Sequence, residues 1–154
     1  MMDYTVIKNE FTISTDKTKI DIDYVHQFLT QSYWSPGVPI ETVKKAMDGS
    51  LCFGMYDNDR QTLPTGRQVG YARMITDNAT FAYLADVFID EKFRGKGLGK
   101  WLIKVILAHP DLQGLRRIML ATKDAHKLYE QCDFISLNNP ERYMVYSPDI
   151  NKNK

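Results

Sequence analysis

The run Phe93-Arg94-Gly95-Lys96-Gly97-Leu98-Gly99-Lys100 lies between a strand-like apolar stretch ending at Ile89 and a helix-like apolar stretch from Leu98 to about Ala108. Three glycines at alternate positions leave the backbone free of Cβ atoms and able to take positive φ, so successive N–H groups can converge on an anion. A helix that starts at Leu98 adds the unpaired N–H groups and positive dipole end of its first turn. Arg94, Lys96 and Lys100 supply charge at the rim. The segment therefore predicts a cradle for a pyrophosphate. The chain has neither G-x-x-x-x-G-K-[ST] nor G-x-G-x-x-G here, so the two commonest nucleotide-binding patterns do not describe it.

What is present is R-x-x-G-x-G, from Arg94 through Gly97 to Gly99, after Asp86-Val87-Phe88-Ile89-Asp90. Further along, Ala125-His126-Lys127-Leu128-Tyr129-Glu130-Gln131-Cys132-Asp133-Phe134 follows the pattern A-x-x-L-Y-x-x-x-G-F. With these two motifs in this order, the chain resembles the GNAT superfamily of acyl-CoA-dependent N-acyltransferases. The resemblance implies that residues 94–100, namely Arg94, Gly95, Lys96, Gly97, Leu98, Gly99 and Lys100, hold the pyrophosphate of acetyl-CoA. It also implies that the backbone of Val87, Phe88 and Ile89 bonds the pantetheine amides. Two positions depart from the family pattern. Asp133 stands where the family usually has a helix-ending glycine, and Asp is among the few other residues that tolerate the left-handed region. Thr122 stands where many members have asparagine.

Composition bounds the remaining classes. At 154 residues the chain suits one domain with a proper core and is short for two, so residues 1–154 are expected to form a single domain. With 20 Lys+Arg against 19 Asp+Glu, the net charge of +1 gives no basic excess of the kind a nucleic-acid binder displays. Cys52 and Cys132 are scattered, no C-x-x-C occurs, and there are only three histidines, so neither a metal site nor a disulfide framework is expected. The N-terminus lacks a basic region followed by an apolar one, and no stretch approaches the length of a membrane span. A cytoplasmic setting is the resulting expectation.

Along the chain the pattern predicts a strand at 11–14 and a helix capped by Asp21 or Asp23 with Val25, Phe28 and Leu29 on its apolar face. A short helix follows over 40–47, and then strands at 51–56 and 69–75. The loop between those strands repeats Arg-Gln at 60–61 and 67–68, a duplication-like insertion of the sort loop tips accept. A strand over 80–89, a helix over 98–108, a strand over 117–122 and a helix over 125–132 that Asp124 can cap come next. Strands at 134–137 and 143–146 would close the sheet. The fold class expected is α+β in three layers: a GNAT-like, mostly antiparallel mixed sheet of about seven strands with four helices. Its fourth and fifth strands, 80–89 and 117–122, should run parallel because a helical crossover joins them, and in the family they splay apart.

Acyl transfer from a thioester to an amine needs a neutral nucleophile, stabilisation of developing negative charge, and a proton for the departing thiolate. The resemblance implies Tyr129 for the last task. For the first, the family often uses a carboxylate near the fourth strand; polyamine-type members carry it at the position of Ala85, and Asp86 can replace it only if a bulge turns it into the cleft. Tyr33, Trp34 and Tyr83 are expected at the acceptor pocket. The function expected is thus direct acetyl transfer from acetyl-CoA to a primary amine in a ternary complex, without a metal. The alternative is a non-catalytic acyl-CoA-binding module that keeps the cradle but lacks the acceptor chemistry. Expected partners are a small-molecule or peptide amine, not nucleic acid or membrane, and a homodimer is compatible with this scaffold.

Overall fold

A computed structural model of the protein describes residues 3–59 and 66–148. Strands β1 (Thr5–Lys8) and β2 (Phe11–Ser14) come first, followed by helices α1 (Ile22–Thr30) and α2 (Ile40–Asp48). Then come β3 (Leu51–Asp57), β4 (Arg67–Thr76), β5 (Phe81–Ile89), α3 (Leu98–Leu107), β6 (Arg117–Leu120) and α4 (His126–Glu130). Six strands form one sheet in sequence order, antiparallel throughout except for the parallel pair β5 and β6. These two are the strands that the sequence reading places fourth and fifth. The repeated Arg-Gln loop tip, 60–65, lies outside the described residues. Among the described residues no helix is long and apolar enough to cross a membrane.

Period-two alternation divides the sheet's side chains between two apolar layers. On one face Phe53, Met55, Ala72, Met74, Ala82 and Leu84 pack with Leu102, Ile103 and Ile106 of α3. On the other, Cys52, Tyr71 and Phe88 meet Val25 and Leu29 of α1 and Val43 and Met47 of α2. Helix α1 starts where Asp21 accepts from the Tyr24 N–H at 3.1 Å, the capping role its side chain suits. Helix α4 has no such cap on its own first residue; Thr122 Oγ1, rather than Asp124, accepts from the Ala125 N–H at 3.0 Å.

The sheet departs from the expected seven strands at both ends. At the start, Thr5–Lys8 pairs with Phe11–Ser14 through a two-residue turn in which Asn9 has φ 54°, a left-handed geometry that asparagine accepts. At the end, 134–137 and 143–146 are not strands; one 3₁₀ turn, Pro140–Arg142, is the regular structure there. Proline removes a ladder donor from this connector. Ile135, Met144, Val145 and Tyr146 remain exposed, while Arg117 donates to the Tyr143 hydroxyl and stacks over its ring at 5.9 Å.

One irregularity in β5 positions the site. Tyr71 pairs with Phe88 but Arg73 pairs with Ala85, so Asp86 and Val87 together oppose Ala72. The extra residue is a β-bulge, and Asp86 carries φ 56°. It reverses the strand's alternation: Ala82 and Leu84 face α3 before the bulge, and Val87 and Ile89 face it afterwards.

Candidate active site

Pairing between β5 and β6 lasts only from Phe81 opposite Arg117 to Leu84 opposite Leu120. Beyond Leu84 the strands part, and a cleft of about 770 Å³ opens between them. Residues 85–89 of β5 line it, as do Ala125, Leu128 and Tyr129 at α4, and Phe28, Tyr33 and Trp34 on the α1 side. A splayed strand exposes a row of backbone groups that an extended ligand can pair with. The Asp90 N–H donates to the Val69 carbonyl at 2.7 Å. By ladder alternation the Phe88 backbone is then spent on β4, and that of Ile89 points away from it. The Ile89 carbonyl takes Arg94 Nε at 3.1 Å. Of the three consecutive residues expected to bond pantetheine, Phe88 is therefore a wall of the cleft, and the Ile89 N–H is a free donor on the splayed edge.

At the far end of β5 the glycine run turns into α3. Gly95 and Gly97 have φ 82° and 77°, and a Cβ built on either would meet no protein atom within 4 Å. Gly97 is also the N-cap of α3 and offers no side-chain cap, so the first-turn N–H groups of Leu98, Gly99 and Lys100 have no intrahelical acceptor. Gly99 differs from the other two. It has no positive φ, and an added Cβ would sit 3.7 Å from Leu128 Cδ2, so its backbone is ordinary helix. Arg94, Gly95, Gly97, Leu98 and Gly99 line the cleft. Lys96 and Lys100 do not line it, although Lys96 Nζ lies 5.3 Å from the ring centroid of Phe93, which does. The open glycines, free N–H groups and Arg94 fit a pyrophosphate.

Tyr129 reaches the cleft from α4 with its ring nearly buried, at 8% exposure. Edge-on packing with Phe134 at 5.7 Å fixes the ring, and burial pushes the phenol up to about 12. Its hydroxyl has no hydrogen-bond partner among the described residues. The helix ends in a left-handed residue: Asp133 has φ 70°, and the Phe134 N–H donates to the Tyr129 carbonyl at 3.0 Å.

Asp86 meets the condition that its sequence position imposed, because the bulge does bring it to the cleft. Its Oδ2 lies 2.9 Å from Arg73 Nε, and its Oδ1 accepts from Trp34 Nε1 at 2.9 Å. Arg73 Nη1 in turn donates to Ser50 Oγ at 3.1 Å. Tyr33, Trp34 and Tyr83 all line the same cleft, and the Lys123 N–H donates to the Tyr33 hydroxyl at 3.1 Å. Sequence reasoning missed Arg73, Ser50, Phe28 and Lys123 as members of this neighbourhood. A signal for the first was present: in Ala82, Leu84, Val87 and Ile89 the apolar period slips by one residue at Asp86.

The description "Acetyltransferase (GNAT) family" matches residues 21–134. A Xanthomonas campestris protein of known structure, provisionally assigned to the same family, is 44% identical, with a TM-score of 0.83 over 92% of this chain and 96% of that one. A Gibberella zeae protein provisionally named an acetyltransferase is 33% identical over 79% of this chain and 77% of its own length. Glucosamine-6-phosphate N-acetyltransferase from Arabidopsis thaliana shares the fold, with a TM-score of 0.60 at 20% identity over 92% of this chain and all of that one. With its splayed β5 and β6, its glycine cradle and its family match over most of its length, the chain belongs to the GNAT acetyltransferase family.

Proposed function

We propose that this protein is an acetyl-CoA-dependent N-acetyltransferase that transfers the acetyl group directly to a primary amine in a ternary complex. The observation that carries the reading is Tyr129, its ring nearly buried and its hydroxyl without a partner among the described residues, on the cleft that also holds the glycine cradle and Asp86. Acetyl-CoA, when bound, supplies an activated thioester. The α3 N–H groups, Gly95, Gly97 and Arg94 bind its pyrophosphate, and the free edge of β5 at Ile89 aligns the arm toward the bulge. From Ile89 back to Asp86 is about 10 Å along the strand.

Tyr129 keeps its proton across physiological pH because burial disfavours the phenolate. It can therefore donate to the sulfur as the C–S bond breaks, and recover a proton from water through the open mouth of the cleft. Asp86 has each oxygen engaged once, by Arg73 and by Trp34. A carboxylate has further lone pairs, and Asp86 uses one to orient the N–H of a neutral amine as its nitrogen bonds the acetyl carbon. The proton displaced from that nitrogen leaves to solvent.

The direct test is release of free CoA thiol with and without primary amines, with the acetylated amine identified by mass spectrometry. Amine-dependent thiol release together with N-acetylated product supports the proposal. Thiol release that no amine accelerates, or absence of CoA binding, would sink it.

A further inference from the structure

The carboxylate of the acceptor region is paired with a half-buried cation. Arg73 and Asp86 leave only 16% and 10% of their side chains exposed, and Arg73 is itself held from behind by Ser50 Oγ, which donates to the Ala46 carbonyl at 2.6 Å. Breaking one side of so enclosed a pair strands the other charge in low dielectric. The arrangement is thus fixed, and it also pins Asp86 in its left-handed backbone. Among the described residues, the other charged groups lining this end of the cleft are Lys123 and Asp124, both exposed, so these four formal charges cancel.

The walls are apolar and flat. Phe28 stacks on Phe88 at 3.8 Å and lies 6.5 Å from Trp34, and Tyr33 meets Trp34 edge-on at 5.0 Å. Trp34 is tied to β5 through Asp86, and Tyr33 is tied to the loop after β6 through the Lys123 N–H. The segment carrying the two rings therefore arches across the cleft with both ends anchored. Lys123 Nζ already covers the Tyr33 ring at 5.6 Å, which leaves that face unavailable to a second cation.

Resting on the acetyltransferase reading, we propose that Arg73 sets the acceptor class. By neutralising Asp86 it removes the negative field that a polycation would seek, and the site takes a primary amine carried on a flat apolar body. Aromatic walls reward such a body by area and ring packing, whereas recognition of a polyamine requires uncompensated carboxylates. Arg73 touches neither donor nor acceptor; it is a positioning residue that acts through Asp86.

The experiment compares 2-phenylethylamine with spermidine on the full chain. Transfer is read as kcat/KM, and binding to the CoA-loaded protein is read by calorimetry. The wild-type protein should favour the aryl amine by at least about tenfold in both readouts, a discrimination that one well-packed apolar group can supply. Arg73→Gln, which frees the Asp86 charge, should shift the ratio toward spermidine by about tenfold or more, and Arg73→Lys should keep the wild-type order. A wild-type preference for spermidine overturns the inference, as does an Arg73→Gln variant that weakens both amines equally. If Arg73→Gln fails to fold, the wild-type order still decides. Binding in the predicted order without any transfer would defeat the catalytic reading alone, and transfer that favours spermidine would defeat only this one.

Discussion

Tyr129 and Phe134 are joined twice, by the Phe134 N–H donating to the Tyr129 carbonyl at 3.0 Å and by their rings packing edge-on at 5.7 Å. The turn between them closes only because Asp133 takes φ 70°. Helix termination and the placement of the candidate acid are therefore one structural event. Asp133→Gly should be neutral or stabilising by up to about 1 kcal/mol, since glycine adopts this region without a Cβ penalty. Asp133→Val should destabilise by about 1–2 kcal/mol and lower activity further by moving Tyr129. Chemical denaturation with parallel turnover assays checks both; a Val variant with wild-type stability would show that the turn is not strained.

The glycines of the cradle should separate by mechanism. Gly97→Val places a β-branched side chain at φ 77° and fills the space an anion would use, so CoA binding should be lost while the core folds. Gly99→Ala occupies a helical position with only an ordinary contact to Leu128, and should stabilise the free protein by up to about 1 kcal/mol. Calorimetric titration with CoA and thermal melts decide. A folded Gly97→Val variant that binds CoA normally would remove the cradle from the account.

Much of this was legible in the chain because its signals are local. The glycine run, the Leu-Tyr motif and the parallel crossover each depend on residues close in sequence, and each lies where the pattern put it. The Asn9 hairpin was missed although Thr5-Val6-Ile7 is β-branched and asparagine suits its turn. The closing strands at 134–137 and 143–146 looked apolar enough to pair, yet Pro140 interrupts them and nothing local reveals whether β6 will accept a neighbour. The slip of the apolar period at Asp86 hinted at the bulge, but not at Arg73 as the partner it creates. That pairing is set by a register shift between β4 and β5, a relation between strands that no single segment encodes.

Buried phenols give the fold an alkaline limit. Burial raises Tyr71, and it raises Tyr129 to about 12. A raised folded-state value means that stability is fully present below the ordinary tyrosine range near 10 and is lost as pH climbs through the folded value. The unfolding free energy from denaturant titrations should therefore stay level from neutral pH to about pH 10, then fall by about 1.4 kcal/mol per pH unit for each such phenol. Tyr129→Phe should shallow that slope by one phenol's share between about pH 10 and pH 12. An identical slope in the variant would mean that Tyr129 is not protected from ionisation.

Recognition of the donor should depend on its pyrophosphate. CoA and acetyl-CoA should each raise the melting temperature, because a ligand at a hundredfold excess over its Kd contributes about 2.7 kcal/mol to the folded state. Pantetheine, which lacks the pyrophosphate and nucleotide, should produce little shift at the same concentration. A larger shift from ATP or NAD than from CoA would contradict the assignment of the cleft.

In the proposed reaction Tyr129 donates the proton that expels the thiolate, and Tyr129→Phe removes that proton while the ring and its contact with Phe134 are retained. Measured with an amine that turns over, under conditions where chemistry limits the rate, kcat should fall roughly 10² to 10⁴-fold, equivalent to about 2.7–5.4 kcal/mol of transition-state stabilisation. CoA affinity should change little. A Phe variant with wild-type kcat would rule out proton donation by Tyr129 and leave it as a packing residue.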